Sequence, residues 1–183
     1  MAKSSKLRIA GGELRGRRLR VPRGSELRPT TERVREAIFS ILGDVSGARV
    51  LDLFCGSGAL GIEALSRGAE TAVLVDSDTA AARRNVEELD LGGRAEVVRS
   101  DAVRYLRDLP ESFDLVLCDP PYTLADRLAA DLDPLIRRTI AEGGRVVVES
   151  SPEQPLELSL PLVTERRYGD TLIRVHGGPR NES

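Results

Sequence analysis

The stretch RVLDLFCGSGALGIEALSR, residues 49–67, decides the fold class. RVLDLF is an apolar run of strand length, and ALGIEALSR carries apolar residues at helical spacing. Gly56 and Gly58 lie between them, where glycine permits a tight turn and close backbone approach. Toward the C-terminus the same alternation continues. TAVLVD (71–76), RAEVVRS (94–100), FDLVLC (113–118) and GRVVVES (144–150) read as strands. Residues 79–89 and 102–107 read as helices between them. Residues 124–141 are expected as two helical pieces, with Asp133 capping a second piece that has Pro134 at its first position. LVTERRYG (162–169) and TLIRVHG (171–177), joined at Gly169–Asp170, predict a closing antiparallel pair. Strands separated by helices imply an α/β fold, a mostly parallel seven-stranded sheet with helices on both faces. Ligands in such folds bind beyond the carboxyl ends of the strands.

Before residue 49 the pattern differs. LRIAGG (7–12) and RRLRVP (17–22) predict a small basic hairpin or arm. In RPTTERVREAIFSILG (28–43), Thr30 or Thr31 can cap a helix after Pro29. Val34, Ala37, Ile38, Ile41 and Leu42 form its apolar face, and Gly43 ends it. The expected organisation is a basic arm over residues 1–28, one domain over 29–178 and a disordered tail over 179–183.

Charge follows the same division. Residues 1–35 hold eleven Lys and Arg against three Asp and Glu, while the remaining residues hold 16 basic and 26 acidic. A basic arm on an acidic body predicts an anionic partner met by the arm. With 183 residues, 40% of them hydrophobic, the chain can bury one real core. Cys55 and Cys118 end apolar runs and read as free buried thiols, and no Cys/His cluster predicts a metal. The basic N-terminus lacks the apolar stretch of a signal peptide, and no apolar run approaches the ~20 residues that span a bilayer. A cytoplasmic protein is expected.

The loop after the first strand also matches G-x-G-x-x-G over Gly56, Gly58 and Gly61, a dinucleotide fingerprint. Asp76, 20 residues beyond Gly56 at the end of the second strand, can hold ribose hydroxyls in either a dinucleotide or S-adenosylmethionine. Asp52 separates the two. A carboxylate there repels a pyrophosphate at the helix N-terminus, whereas the sulfonium and ammonium of S-adenosylmethionine are attracted to it. The run Asp52, Phe54, Gly56, Ser57, Gly58 resembles the D-x-F-x-G-x-G loop of class I methyltransferases. That resemblance places Asp101, followed by Ala102, beside the adenine amino group; the same Asp101 can cap the next helix.

The fourth strand ends in Asp119-Pro120-Pro121-Tyr122. Two prolines stiffen the turn, remove two N–H donors and leave carbonyls to accept. An exocyclic amino group must become more tetrahedral to attack a methyl group. A carboxylate (Asp119) and a backbone carbonyl (Pro120) accepting its two N–H groups favour that geometry and the charge that develops. Tyr122 can stack on the base. A pyrimidine-C5 mechanism would need a cysteine nucleophile, and Cys118 reads as an inward strand residue.

With hairpin, helix, glycine loop and DPPY in this order, the chain resembles the bacterial 16S ribosomal RNA guanine-N2 methyltransferases of the RsmD type over nearly its full length. RIAGGELRGRRLRVP and LRPTTERVREAIFSIL carry the most specific part of that likeness. The resemblance implies a class I methyltransferase fold, S-adenosylmethionine as cofactor, and 16S rRNA in a partly assembled small subunit as partner, met by a monomer. It places Arg8, Arg15, Arg17, Arg18 and Arg20 on RNA, with Arg28, Arg33 and Arg35 also meeting RNA at the active-site mouth and Thr30 there beside the cofactor. The residues alone reach only a basic arm plus an amine methyltransferase. Adenine N6, a DNA base, a protein glutamine and a catalytically inactive RNA-binding module remain alternatives. Because the cofactor residues lie in the 29–178 domain, cofactor affinity is expected not to depend on residues 1–20.

Overall fold

The computed structural model describes residues 7–22, 31–109, 112–121 and 125–179, with the side chains of 125–127 left aside. Seven strands form one sheet: β1 (Arg49–Leu53), β2 (Thr71–Asp76), β3 (Ala95–Arg99), β4 (Phe113–Cys118), β5 (Ile140–Ser150), β6 (Leu162–Tyr168) and β7 (Thr171–Gly177). Their order is β3-β2-β1-β4-β5-β7-β6. β1 to β5 run parallel, and β7 and β6 close the sheet antiparallel. The order reverses between β1 and β4, so the loops leaving those two strands face each other across the switch point where such folds bind ligands. This is a class I methyltransferase fold, as the sequence predicts.

Helices α1 (Glu32–Leu42), α2 (Ala59–Ser66) and α3 (Ala80–Glu88) cover one face of the sheet, and α4 (Ala102–Asp108) and α5 (Ala125–Thr139) the other. Each face has its own apolar core. Ile38, Ile62, Leu74, Leu117 and Ile173 belong to the first; Leu51, Leu106, Val116, Ile136 and Val148 belong to the second. Thr31 caps α1, its hydroxyl accepting the Val34 N–H at 3.3 Å, and Gly43 stops the helix at φ 73°.

Two elements depart from expectation. α5 is a single helix with Pro134 inside it. The Asp133 carboxylate accepts the backbone N–H (2.7 Å) and hydroxyl (3.1 Å) of Ser159, so it does not cap a second piece. α1 is rotated so that Arg35 and Phe39 are buried, while Ala37 and Ile41 are only half-buried.

Residues 7–22 form the basic hairpin, paired antiparallel at Arg8 and Arg18. Leu7, Ile9 and Leu19 enter the core beneath α1 and α2, while Arg15, Arg17, Arg18 and Arg20 stay exposed. The hairpin is docked, not free-standing. Glu63 on α2 accepts the N–H groups of Ala10 (2.9 Å) and Gly11 (2.7 Å), and Ser66 accepts that of Leu14 (2.9 Å). At Gly12, φ is +80° and an added Cβ would lie 1.8 Å from the Ser66 carbonyl oxygen, so only glycine fits there. Among the described residues no helix is long and apolar enough to cross a membrane.

Candidate active site

The chain leaves β1 through a strained turn. Phe54 takes φ 58°, unusual for a side-chain-bearing residue, and Gly56 (φ 53°) and Gly58 (φ 79°) follow in the left-handed region. Carboxylates hold this loop. Asp76, at the end of β2, accepts the Gly56 N–H at 2.8 Å through one oxygen and the Asp78 N–H at 3.0 Å through the other. Asp52 accepts the Gly61 N–H at 2.9 Å inside the first turn of α2. Gly61 permits that approach, since an added Cβ would sit 2.2 Å from Leu74 and 3.1 Å from the Asp52 carboxylate. A Cβ on Gly56 would meet nothing within 4 Å, so the outer side of the loop is open to a ligand.

Asp52 is only 1% exposed, and burial, with Asp76 nearby, pushes its carboxyl up to about 7; the Gly61 N–H opposes this. The sequence suggests Asp52 as a direct counter-charge for a cation. The structure makes it the buried anchor of the loop, bonded to Gly61 and closed to solvent. It also engages one of the N-terminal amides of α2, the groups a pyrophosphate would need. The dinucleotide alternative therefore loses charge complementarity and one donor.

At the end of β3, Asp101 caps α4 by accepting the Arg104 N–H at 2.9 Å, while Ala102 is buried. The Asp101 side chain is exposed beside a hollow of about 550 Å³ lined by Arg99, Ser100, Arg104 and Tyr105. β4 delivers Asp119, half-buried, then buried Pro120 and exposed Pro121. β1 and β4 pair with Asp52 opposite Leu117, so Asp119, two residues on, lies on the same sheet face as Asp52. Cys118 points to the opposite face, fully enclosed, and burial raises its thiol far above the ordinary value, as does Asp119 next to it. It is no nucleophile. Burial likewise raises the Cys55 thiol.

Tyr122, Thr30 and Arg28 lie outside the described residues. Arg33 is exposed on α1. Arg15 and Arg18 carry no ion pair among the described residues; Arg20 pairs with Glu88, and Arg8 donates to the Gly16 carbonyl. Arg35 requires a correction. It is 0% exposed, donates to the Arg8 carbonyl and lies 3.6 Å from the buried Glu63 carboxylate. Burial lowers its pKa, and Glu63 is the largest opposing influence. It cannot touch RNA, because it is enclosed between α1, α2 and the hairpin.

Two residues that the sequence reading overlooks join the site. Glu149 is 5% exposed, and continuing the β4–β5 register from Cys118 and Val148 sets it beside Asp119 on the same face. Its signal is a lone carboxylate ending the apolar run of β5. Asn85, 1% exposed on α3, donates to the Ser57 carbonyl of the glycine loop at 2.8 Å.

The family model described as conserved hypothetical protein 95 matches residues 7–177. The chain belongs to this family, the RsmD family. Ribosomal RNA small subunit methyltransferase D of Escherichia coli K12 is 45% identical over 122 residues, covering 65% of this chain. That match spans 62% of the relative's length, less than two thirds of it. The proposed rRNA methyltransferase YlbH of Bacillus subtilis is 36% identical over 181 residues, covering 93% of this chain and 98% of that one. Among solved structures, the proposed methyltransferase yhhF of Escherichia coli superposes with a TM-score of 0.84 at 36% identity, covering 96% of this chain and 99% of that one. The family model begins at the hairpin, so the RsmD match takes in the docked basic segment as well as the sheet.

Proposed function

We propose that this chain transfers a methyl group from S-adenosylmethionine to the exocyclic N2 of a guanine in 16S ribosomal RNA, acting as a monomer on partly assembled small subunits in the cytoplasm. The observation that carries the reading is the placement of Asp119-Pro120-Pro121 directly across the switch point from the carboxylate-anchored glycine loop. The names of the RsmD-family relatives support an rRNA substrate.

The residues fit the cofactor. Gly56 leaves one side of the glycine loop open, Asp76 stands ready for ribose hydroxyls, and the exposed Asp101 carboxylate can accept from an adenine amino group. When bound, S-adenosylmethionine supplies an electrophilic methyl group. Asp119 and the Pro120 carbonyl accept the two N–H groups of the base, pyramidalising its nitrogen and stabilising its developing positive charge. The cofactor would supply the methyl carbon and keep the electrons of its sulfur bond, and Asp119 or water would take the proton that the methylated nitrogen sheds. Tyr122 supplies the stacking platform for a base flipped from its loop.

One assay decides among base and nucleic acid. The full chain is incubated with tritiated S-adenosylmethionine and, separately, partly assembled small subunits, naked 16S rRNA and DNA, followed by nucleoside analysis. N2-methylguanosine from the particles is the expected product. N6-methyladenosine would overturn the choice of base, label in DNA the choice of polymer, and no label the enzymatic reading.

The acidic anchor gives a pH signature. In the free protein Asp52 holds its proton below about pH 7. A cationic ligand favours the carboxylate, so binding expels that proton, and affinity should fall as pH drops below about 7. Calorimetry with S-adenosylmethionine, whose sulfonium carries the charge in question, between pH 5.5 and 8.5 should show this loss, and Asp52→Asn should flatten the profile. A wild-type profile already flat would remove Asp52 from cofactor recognition.

The hairpin gives a salt signature. Each phosphate neutralised on single-stranded nucleic acid contributes about −0.7 to the slope of log K against log salt. Replacing exposed Arg15, Arg17 and Arg18 together by Ala should therefore flatten the slope for RNA by about 2. An unchanged slope would take the hairpin off the RNA.

A further inference from the structure

Asn85 joins two parts of the molecule that the sequence keeps apart. Its Oδ1 accepts the backbone N–H of Arg20 at 2.7 Å, and its Nδ2 donates to the Arg20 carbonyl at 2.9 Å and to the Ser57 carbonyl at 2.8 Å. Arg20 ends the second strand of the basic hairpin; Ser57 sits between the two glycines of the cofactor loop. The partners dictate the amide's orientation, because an N–H can only donate and a carbonyl can only accept. Aspartate could not donate to either carbonyl, and alanine would leave all three groups without their partner. At 1% exposure these bonds face no competition from water. Among the described residues no other side chain bonds both the hairpin and the glycine loop.

The surrounding contacts make the link stiff. The turn of the hairpin is seated on Glu63 and Ser66 of α2, the helix that starts at the loop's last glycine. The second strand is seated on α3, where Arg20 also pairs with Glu88 at 2.6 Å beside Asn85. A displacement of the Arg20 backbone must either break the Asn85 bonds or pass to Ser57.

We propose that Asn85 is a positioning residue that couples RNA binding to cofactor binding. This rests on the reading of the hairpin as an RNA contact and of the glycine loop as the cofactor cradle. RNA held by the hairpin fixes the Arg20 backbone, and Asn85 passes that restraint to the Ser57 carbonyl, holding the loop in its cofactor-binding shape. Reciprocity requires that bound cofactor also favour the RNA-docked hairpin. The expectation that cofactor affinity is independent of residues 1–20 is thereby reversed.

The test is equilibrium dialysis of radiolabelled S-adenosylhomocysteine against the full chain, with and without partly assembled small ribosomal subunits. Particles should tighten binding to the wild type by about fivefold or more, the lower end of ordinary coupling. Asn85→Ala should reduce that enhancement to less than about twofold while particles still bind. Glu88→Ala, which removes only the surface ion pair with Arg20, should keep it. Enhancement that survives in Asn85→Ala, or that is missing from a wild type binding both ligands, overturns the coupling. A wild type that binds no particles refutes the RNA reading instead, and the link is then decided without RNA. Gly12→Ala should drive the hairpin off Ser66 while leaving Asn85 in place. Amide hydrogen exchange at residues 56–58 should then quicken in the cofactor-free protein. Exchange there equal to wild type overturns the coupling whatever the particles do.

Discussion

Asp119→Ala should lose methyl transfer by about 10²-fold or more while binding S-adenosylhomocysteine nearly as well as the wild type. Removing one preorganised acceptor from a developing charge typically reduces turnover by about 10²–10³. The cofactor term is separable because the loop is held by Asp52 and Asp76, and neither bonds Asp119 through any contact described above. Asp119→Asn is the more informative partner variant. Its amide keeps one acceptor oxygen but adds a donor facing the substrate amine, so it should recover little. Single-turnover rates with saturating cofactor isolate the chemical step. Turnover within a few-fold of wild type in Asp119→Ala would remove the carboxylate from the mechanism, and a loss appearing only in cofactor affinity would make it a structural residue.

The parts of this molecule legible in sequence are those governed by period and by local chemistry. Most of the strands are short apolar runs bounded by turn residues, β6 (LVTERRY) being largely polar, and all seven stand where the pattern puts them, with β5 starting earlier at Ile140. The glycine loop and DPPY are local motifs, and topology alone brings them together across the β1–β4 switch point. What remained hidden depends on partners distant in sequence. Asp133 carries a sound capping signal, and Ser159, 26 residues away, takes its carboxylate. Arg35 reads as part of the polar face of α1, because its burial is decided by Glu63 on another helix. Glu63 did offer a signal: every residue of α2 is buried, and a lone carboxylate in such a helix requires a cation or several N–H donors. Asn85 offered none, since an asparagine in a helix that is otherwise charged outside and apolar inside looks like surface.

That buried pair carries the largest expected effect on stability. Glu63 is wholly enclosed and serves four groups: the N–H of Ala10, the N–H of Gly11, the Arg67 Nε at 3.0 Å and the Arg35 guanidinium at 3.6 Å. Glu63→Ala removes the carboxylate 3.6 Å from the buried Arg35 and takes the acceptor from one buried and one half-buried amide, those of Ala10 and Gly11. Breaking one side of a buried pair typically costs about 3–5 kcal/mol, a large share of the roughly 5–15 kcal/mol that holds a domain together. Glu88→Ala breaks the half-exposed pair with Arg20 and should cost no more than about 1 kcal/mol. Urea unfolding of both variants makes the comparison, and the two must differ by at least about 2 kcal/mol if burial governs the pair. Replacing both partners, Arg35→Met with Glu63→Leu, should recover part of the loss, since no uncompensated charge is then buried. It should not restore the hairpin, whose Ala10 and Gly11 amides still lack their acceptor. A double variant that is stable yet lacks the salt-dependent RNA binding proposed for the wild type is therefore the expected outcome. A Glu63→Ala protein as stable as Glu88→Ala would show that Glu63 holds the hairpin no more strongly than a surface ion pair does.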